Sequence, residues 1–171
     1  MRYVKISGII GLISLICALG IALVNSVTSP IIKDNAAKKE LETCQSIFPN
    51  YDQDKSVILD DYTDSAITKK IHAFDKDGNE IGYLYVVEGK NAYGSISLMV
   101  AIADESVVSV EFLTNGQSYA STVADHVNKN YKDDLSAADL AGIDTSCGAT
   151  YGAELVKKLV KSALNDALGG K

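Results

Sequence analysis

Tryptophan is absent, histidine and proline occur twice each, and cysteine three times in 171 residues. So few cysteines, one of them inside an apolar run, exclude a disulfide-dense small fold. His72 and His126 stand apart from any Cys or carboxylate cluster at ligand spacing, which gives no metal site. Prolines only at positions 30 and 49 leave room for long helices. A basic excess is also missing: 16 Lys and Arg face 22 Asp and Glu. Residues 1–32 hold Arg2 and Lys5 and no acid, so the remainder carries 14 bases against the same 22 acids. An acidic body excludes sequence-independent nucleic-acid binding, which needs cations to displace phosphate counterions. With 47% apolar and 22% charged residues the chain is not disordered. No phosphate loop, Gly-x-Ser-x-Gly elbow or dinucleotide fingerprint occurs.

What is present begins with an uncharged stretch from Ile6 to Ile32. About 20 helical residues match a hydrocarbon core of roughly 30 Å. The stretch lacks the polar face of a core helix. Val24-Asn-Ser26 is a poor signal-peptidase site, and bulky Ile16 before Cys17 is a poor lipoprotein signal. Residues 1–32 therefore read as a retained single-span anchor, with Pro30 at its exit, and 33–171 as one domain. Lysines flank both ends, so charge does not fix orientation. The preferred topology is a cytoplasmic N-terminus and an extracytoplasmic domain.

Beyond Pro30, Leu41, Cys44, Ile47 and Phe48 recur at helical spacing, and Pro49 ends that helix. Period-two segments rich in Val, Ile, Tyr and Thr follow: 56–60, 66–74, 80–88, 95–103 and 107–114. Turns fall at Asp75–Asn79 and Asp104-Glu105. The first of these turns carries Glu80 where a calcium loop needs glycine, so it reads as a plain hairpin. Helices are expected over 118–131 and 153–168, the latter with apolar pairs stepping by four. Strands flanked by helices, rather than alternating with them, give an α+β fold with an antiparallel sheet. Cys44 and Cys147 default to free thiols, though the sequence alone does not exclude their pairing.

One cluster carries chemistry: Asp144-Thr-Ser-Cys147-Gly148-Ala149-Thr150-Tyr151-Gly152, directly before the strongest helix. Small residues let a ligand approach the backbone. A hydroxyl near a helix N-terminus meets free N–H groups that favour a phosphate. On these residues alone the simpler account is that Thr150 caps the helix and Gly148 makes a turn.

The cluster also resembles a family. The motif Asp, two variable residues, Ser or Thr, Gly, Ala, Thr marks the small FMN-binding subunit of bacterial Rnf electron-transport complexes. The corresponding flavin-bearing subunit of the sodium-pumping NADH:quinone reductase is similar. The likeness extends to Val27-Thr-Ser-Pro-Ile-Ile32, Ile47-Phe-Pro49, Gly82–Gly89 and Tyr93-Gly94. It implies FMN joined through its phosphate to Thr150 by an ApbE-type flavin transferase. It further implies flavin contacts from Asp144, Cys147, Gly148, Ala149, Tyr151 and Ser118, and membrane redox subunits as partners. Electron relay, rather than turnover of a substrate, is the implied function. Cys147 replaces the family's Ser or Thr, Gly152 replaces a later hydroxyl, and Gln117-Ser-Tyr-Ala120 stands where Glu-Thr-Pro-Gly is common. Two other readings remain: a stand-alone surface flavoprotein, and an anchored envelope binding module without flavin.

Overall fold

The computed structural model describes residues 2–169. It divides into two compact units, Met1–Lys39 and Glu40–Lys171. Helix α1 spans Arg2–Ile47 and carries Pro30 inside it. In the first unit large apolar side chains such as Ile9, Leu15, Ile21 and Val24 are exposed on every side of the helix. Length and composition make it a candidate membrane span, with a mean hydropathy of 2.5 over its most apolar window. The sequence suggested that a new helix begins after Pro30, whereas α1 runs through that residue. Proline costs one backbone bond, and the Ala-, Lys- and Glu-rich residues that follow are strong helix formers.

The second unit is built on one six-stranded antiparallel sheet in sequence order. Its strands are β1 (Val57–Leu59), β2 (Ile67–Phe74), β3 (Glu80–Asn91), β4 (Gly94–Ala103), β5 (Ser106–Asn115) and β6 (Lys132–Leu135). Helices α2 (Ala120–Asn130) and α3 (Ala137–Gly142) flank β6, and α4 (Thr150–Ala167) closes the chain. The α+β architecture read from the sequence is thus present.

Hairpin chemistry explains the meander. Asp75 Oδ1 accepts from the N–H groups of Asp77 and Asn79 at 2.9 and 2.8 Å, closing β2–β3 as a simple turn. Asp104 and Glu105 both take positive φ, 50° and 61°, as the two-residue turn between β4 and β5 requires. Both faces of the central strands are buried, so β3 and β4 read as nearly continuous apolar runs. Tyr85, Val87, Leu98 and Val100 face one way and pack with Val123, Val156, Leu159 and Val160 of α2 and α4. Leu84, Val86, Met99 and Ala101 face the other way, against Cys44 and Tyr51. Cys147 packs on the first core and Cys44 lies in the second. The sheet separates the two thiols, and both are free.

β6 and α3 are absent from the sequence reading. Lys132-Asp-Asp-Leu135 has little strand propensity and pairs because Val107 and Ser109 of β5 offer an edge. Ser136-x-x-Asp139 was a legible signal: it forms a reciprocal capping box, with Asp139 N donating to Ser136 Oγ at 3.2 Å and Ser136 N to Asp139 Oδ2 at 3.1 Å.

A buried ion pair ties the end of α4 to the sheet. Lys70 Nζ of β2 lies 3.0 Å from Asp166 Oδ2 and 3.1 Å from Asp61 Oδ1, and the Tyr85 hydroxyl donates to Asp166 at 3.1 Å. Burial alone would lower the Lys70 pKa, but hydrogen bonds and charge from Asp166 and Asp61 outweigh it and raise it. Asp166→Ala removes the better-buried of the two carboxylates and leaves Lys70 with exposed Asp61 alone, an expected cost of about 1–3 kcal/mol, measurable by denaturant unfolding of the detergent-solubilised chain. Because the folded-state pKa of Lys70 is raised, its contribution is complete below the unfolded value and is lost as pH rises through the folded one. The stability gap between wild type and Lys70→Met should therefore narrow in strong alkali and hold at neutral pH.

Candidate functional site

Thr150 is the first residue of α4, and the N-cap position belongs to Ala149, which makes no side-chain capping bond. The helix-cap account of Thr150 is therefore corrected: a capping side chain belongs one residue earlier. Among the described residues the Thr150 hydroxyl makes no hydrogen bond, and the backbone N–H groups of Thr150 and Tyr151 have no internal acceptor. The first paired amides are those of Gly152 and Ala153, both donating to Ala149 O. An available hydroxyl thus stands beside free amides at the positive end of an 18-residue helix.

These residues border a cavity of about 230 Å³. Gly148, Ala149, Thr150, Tyr151 and Gly152 form one wall, and Tyr93, Gln117, Tyr119 and Val123 complete it. The Tyr93 and Tyr151 rings stack with centroids 5.3 Å apart and planes at 21°. Tyr119 and Tyr151 are each 62% exposed, so the mouth is aromatic and open to solvent.

Two glycines make the walls meet. Gly94 has φ +139°, and a Cβ there would collide with the carbonyl of Gly116, so the β3–β4 turn can lie directly on the β5–α2 loop. A Cβ on Gly152 would stand 2.5 Å from Val123 Cγ2, so α4 approaches α2 only because that side chain is missing. This explains why no hydroxyl residue occupies position 152: Val123 fills its space. Gly148 also needs to be glycine, with φ +76° and open space around it.

Of the residues named from sequence, Gly148, Ala149, Thr150 and Tyr151 line the cavity. Asp144, Cys147 and Ser118 lie outside its lining. Asp144 is exposed, and its Oδ1 accepts from Ser146 N at 2.9 Å, which fixes the turn before Gly148. That bond, with smaller help from His126 and Lys157, holds its carboxyl below the ordinary range. Lys157 secures the same segment by donating to Ala141 O and Ile143 O at 2.8 and 2.7 Å. Cys147 turns inward onto the core. The Ser118 hydroxyl and amide both reach Tyr93 O, at 3.2 and 2.9 Å, so it ties the β5–α2 loop to the β3–β4 turn.

Asn91 organises the site, and nothing in the sequence singled it out. Its Oδ1 accepts from Tyr93 N at 2.9 Å and from Gln117 Nε2 at 3.2 Å, while its Nδ2 donates to Tyr151 O at 3.0 Å. One side chain thus joins the β3–β4 turn, the β5–α2 loop and the start of α4. An Asn two residues before a Tyr-Gly turn was the available signal, since Asx side chains bond the backbone two residues on.

Aromatic and apolar walls suit a flat heterocycle, and the Thr150 end suits a phosphate. Residues 92–165 match the family model of the FMN-binding domain. The matched stretch contains every residue that lines the cavity. It supports FMN binding, and so a flavoprotein. No curated protein matches the chain.

Gly152→Ala should destabilise the protein by about 1–3 kcal/mol through overpacking against Val123. In a double-mutant cycle, Val123→Ala should relieve a large part of that loss. Purely additive effects would show that the close approach is not what requires glycine.

Proposed function

We propose that the chain is a membrane-anchored flavoprotein that relays electrons through FMN joined by its phosphate to Thr150. The observation that carries this reading is the Thr150 hydroxyl, uncommitted to capping, at the helix end of the cavity inside the FMN-binding match. Attachment forms a bond from Thr150 Oγ1 to the phosphorus of an activated FMN donor. The donor's phosphoanhydride P–O bond breaks, and the hydroxyl proton leaves to solvent as the second phosphate departs. An ApbE-type flavin transferase is the proposed catalyst, with Asp144 and the turn it orders as its recognition feature.

When bound, FMN supplies the redox chemistry. The chain's part is to position it. The free amides of Thr150 and Tyr151 would hold the phosphate, the cavity's tyrosines and Val123 would hold the ring, and Gly148 would leave the backbone clear. The proposed setting is an ion-translocating complex of the Rnf type. There residues 1–32 hold the domain at the membrane with the N-terminus in the cytoplasm, and membrane redox subunits exchange electrons with it. Anchoring raises the flavin's effective concentration at those partners.

Co-expression with a flavin transferase should yield in-gel flavin fluorescence and a mass gain of one FMN less one water. Thr150→Ala should abolish both. With no capping bond to lose, the substitution should shift unfolding by less than about 0.5 kcal/mol, below the usual cost of a lost cap. Label persisting in Thr150→Ala would refute the attachment site. An unlabelled wild-type chain beside a competent transferase would refute the covalent flavoprotein reading.

A further inference from the structure

Gln117 is 6% exposed, yet it lines the cavity. Its amide orientation follows from its partners. Nε2 donates to Gly94 O at 2.7 Å and to Asn91 Oδ1 at 3.2 Å. Gly94 O is a carbonyl and can only accept. Asn91 Oδ1 already accepts from the Tyr93 amide and so is an oxygen. Both amide hydrogens of Gln117 are therefore committed, and turning the group over would set oxygen against oxygen twice.

What remains is Oε1. It accepts no hydrogen bond among the described residues, and it lies 3.3 Å from where a Cβ on Gly152 would stand, beside the cavity wall. On a side chain this enclosed, a fixed carbonyl oxygen at the wall of a largely apolar and aromatic cavity is a ready acceptor for an occupant that brings a donor. The site thus presents a fixed acceptor with no donor capacity of its own.

We infer that Gln117, locked by Asn91, reads the ring of the occupant by accepting a hydrogen bond from an imide-type N–H on a flat heterocycle. This rests on the flavin reading above. There the donor is the N3–H on the pyrimidine edge of FMN, the ring's one N–H in its oxidised form. The Asn91 and Gln117 pair then selects heterocycles with such an edge over aromatic rings that lack one. Asn91 acts as a positioning residue, because it orients Gln117 and meets the ligand only through it.

An acceptor on N3–H stabilises the protonated ring and raises the pH at which N3 ionises. The test uses the full chain, flavinylated by co-expression with a transferase, and follows flavin absorbance through the alkaline range. N3 should ionise at higher pH in wild type than in Gln117→Leu, which keeps the burial and removes the acceptor. The expected gap is about one pH unit, a roughly tenfold change in the ionisation constant. Asn91→Ala leaves Gln117 in place but frees its amide, and should shift N3 in the same direction by less. Equal N3 titrations in wild type and Gln117→Leu overturn the inference. Should Gln117→Leu not fold, a wild-type N3 titration at or below that of free FMN overturns it equally. A wild-type chain that takes no flavin, visible by mass alone, overturns the parent reading instead.

Discussion

Everything at the site depends on how α4 lies across the sheet. Its apolar stripe, Val156, Leu159, Val160, Ala163 and Leu164, is fully buried, and most of the α-face core rests on it. Hydrophobic burial is not directional, so by itself it would let the helix slide along the strands. Two polar ties set the position. Lys70 and Tyr85 grip Asp166 at one end, and Asn91 grips the Tyr151 carbonyl at the other. Between them the contact of Gly152 with Val123 sets how closely α4 approaches α2. The place of the Thr150 hydroxyl follows from that alignment.

Those ties differ in kind. The Lys70 and Asp166 pair is nearly buried, so its attraction must offset the cost of desolvating both charges; its clearest benefit is registry. Asn91 is uncharged, and its amide spends one donor and its oxygen on three separate segments. Losing it would release two backbone groups and the Gln117 side chain without leaving a buried charge. Local loosening at the cavity, with Gln117 still held by Gly94 O, is the physical consequence rather than global unfolding.

Much of the fold was legible because its signals are periodic. The stepping pairs of α4 and the β-rich segments gave elements whose boundaries moved by only a few residues. β6 escaped because Lys132-Asp-Asp-Leu135 is a strand by virtue of its neighbour, not its composition. Thr150, Gly148, Ala149 and Tyr151 were readable as a site because they are contiguous in sequence. Tyr93, Gln117 and Val123 come from three other segments, and pairing of β3, β4 and β5 is what brings them there. Asn91 was invisible for a further reason. An asparagine beside a turn has a sufficient local explanation, and its contacts to Gln117 and Tyr151 span 26 and 60 residues.

A cavity of about 230 Å³ is small beside the roughly 300–1,000 Å³ that usually enclose a drug-sized ligand, and its tyrosines are left facing water. A flavin there would bury one edge of its ring and keep the rest accessible. Non-covalent affinity from so partial an enclosure is modest, because only the buried surface and the Gln117 acceptor contribute to it. The proposed bond to Thr150 would change that balance: a short tether would hold the ring at a millimolar-scale effective concentration, so weak local contacts would suffice to keep it seated. The same openness is what electron relay between proteins demands, since a fully enclosed ring would be shielded from its partners. In the proposed function, partial burial and covalent attachment would be two sides of one design, and a fixed acceptor at the ring edge would supply the orientation that a shallow pocket alone does not.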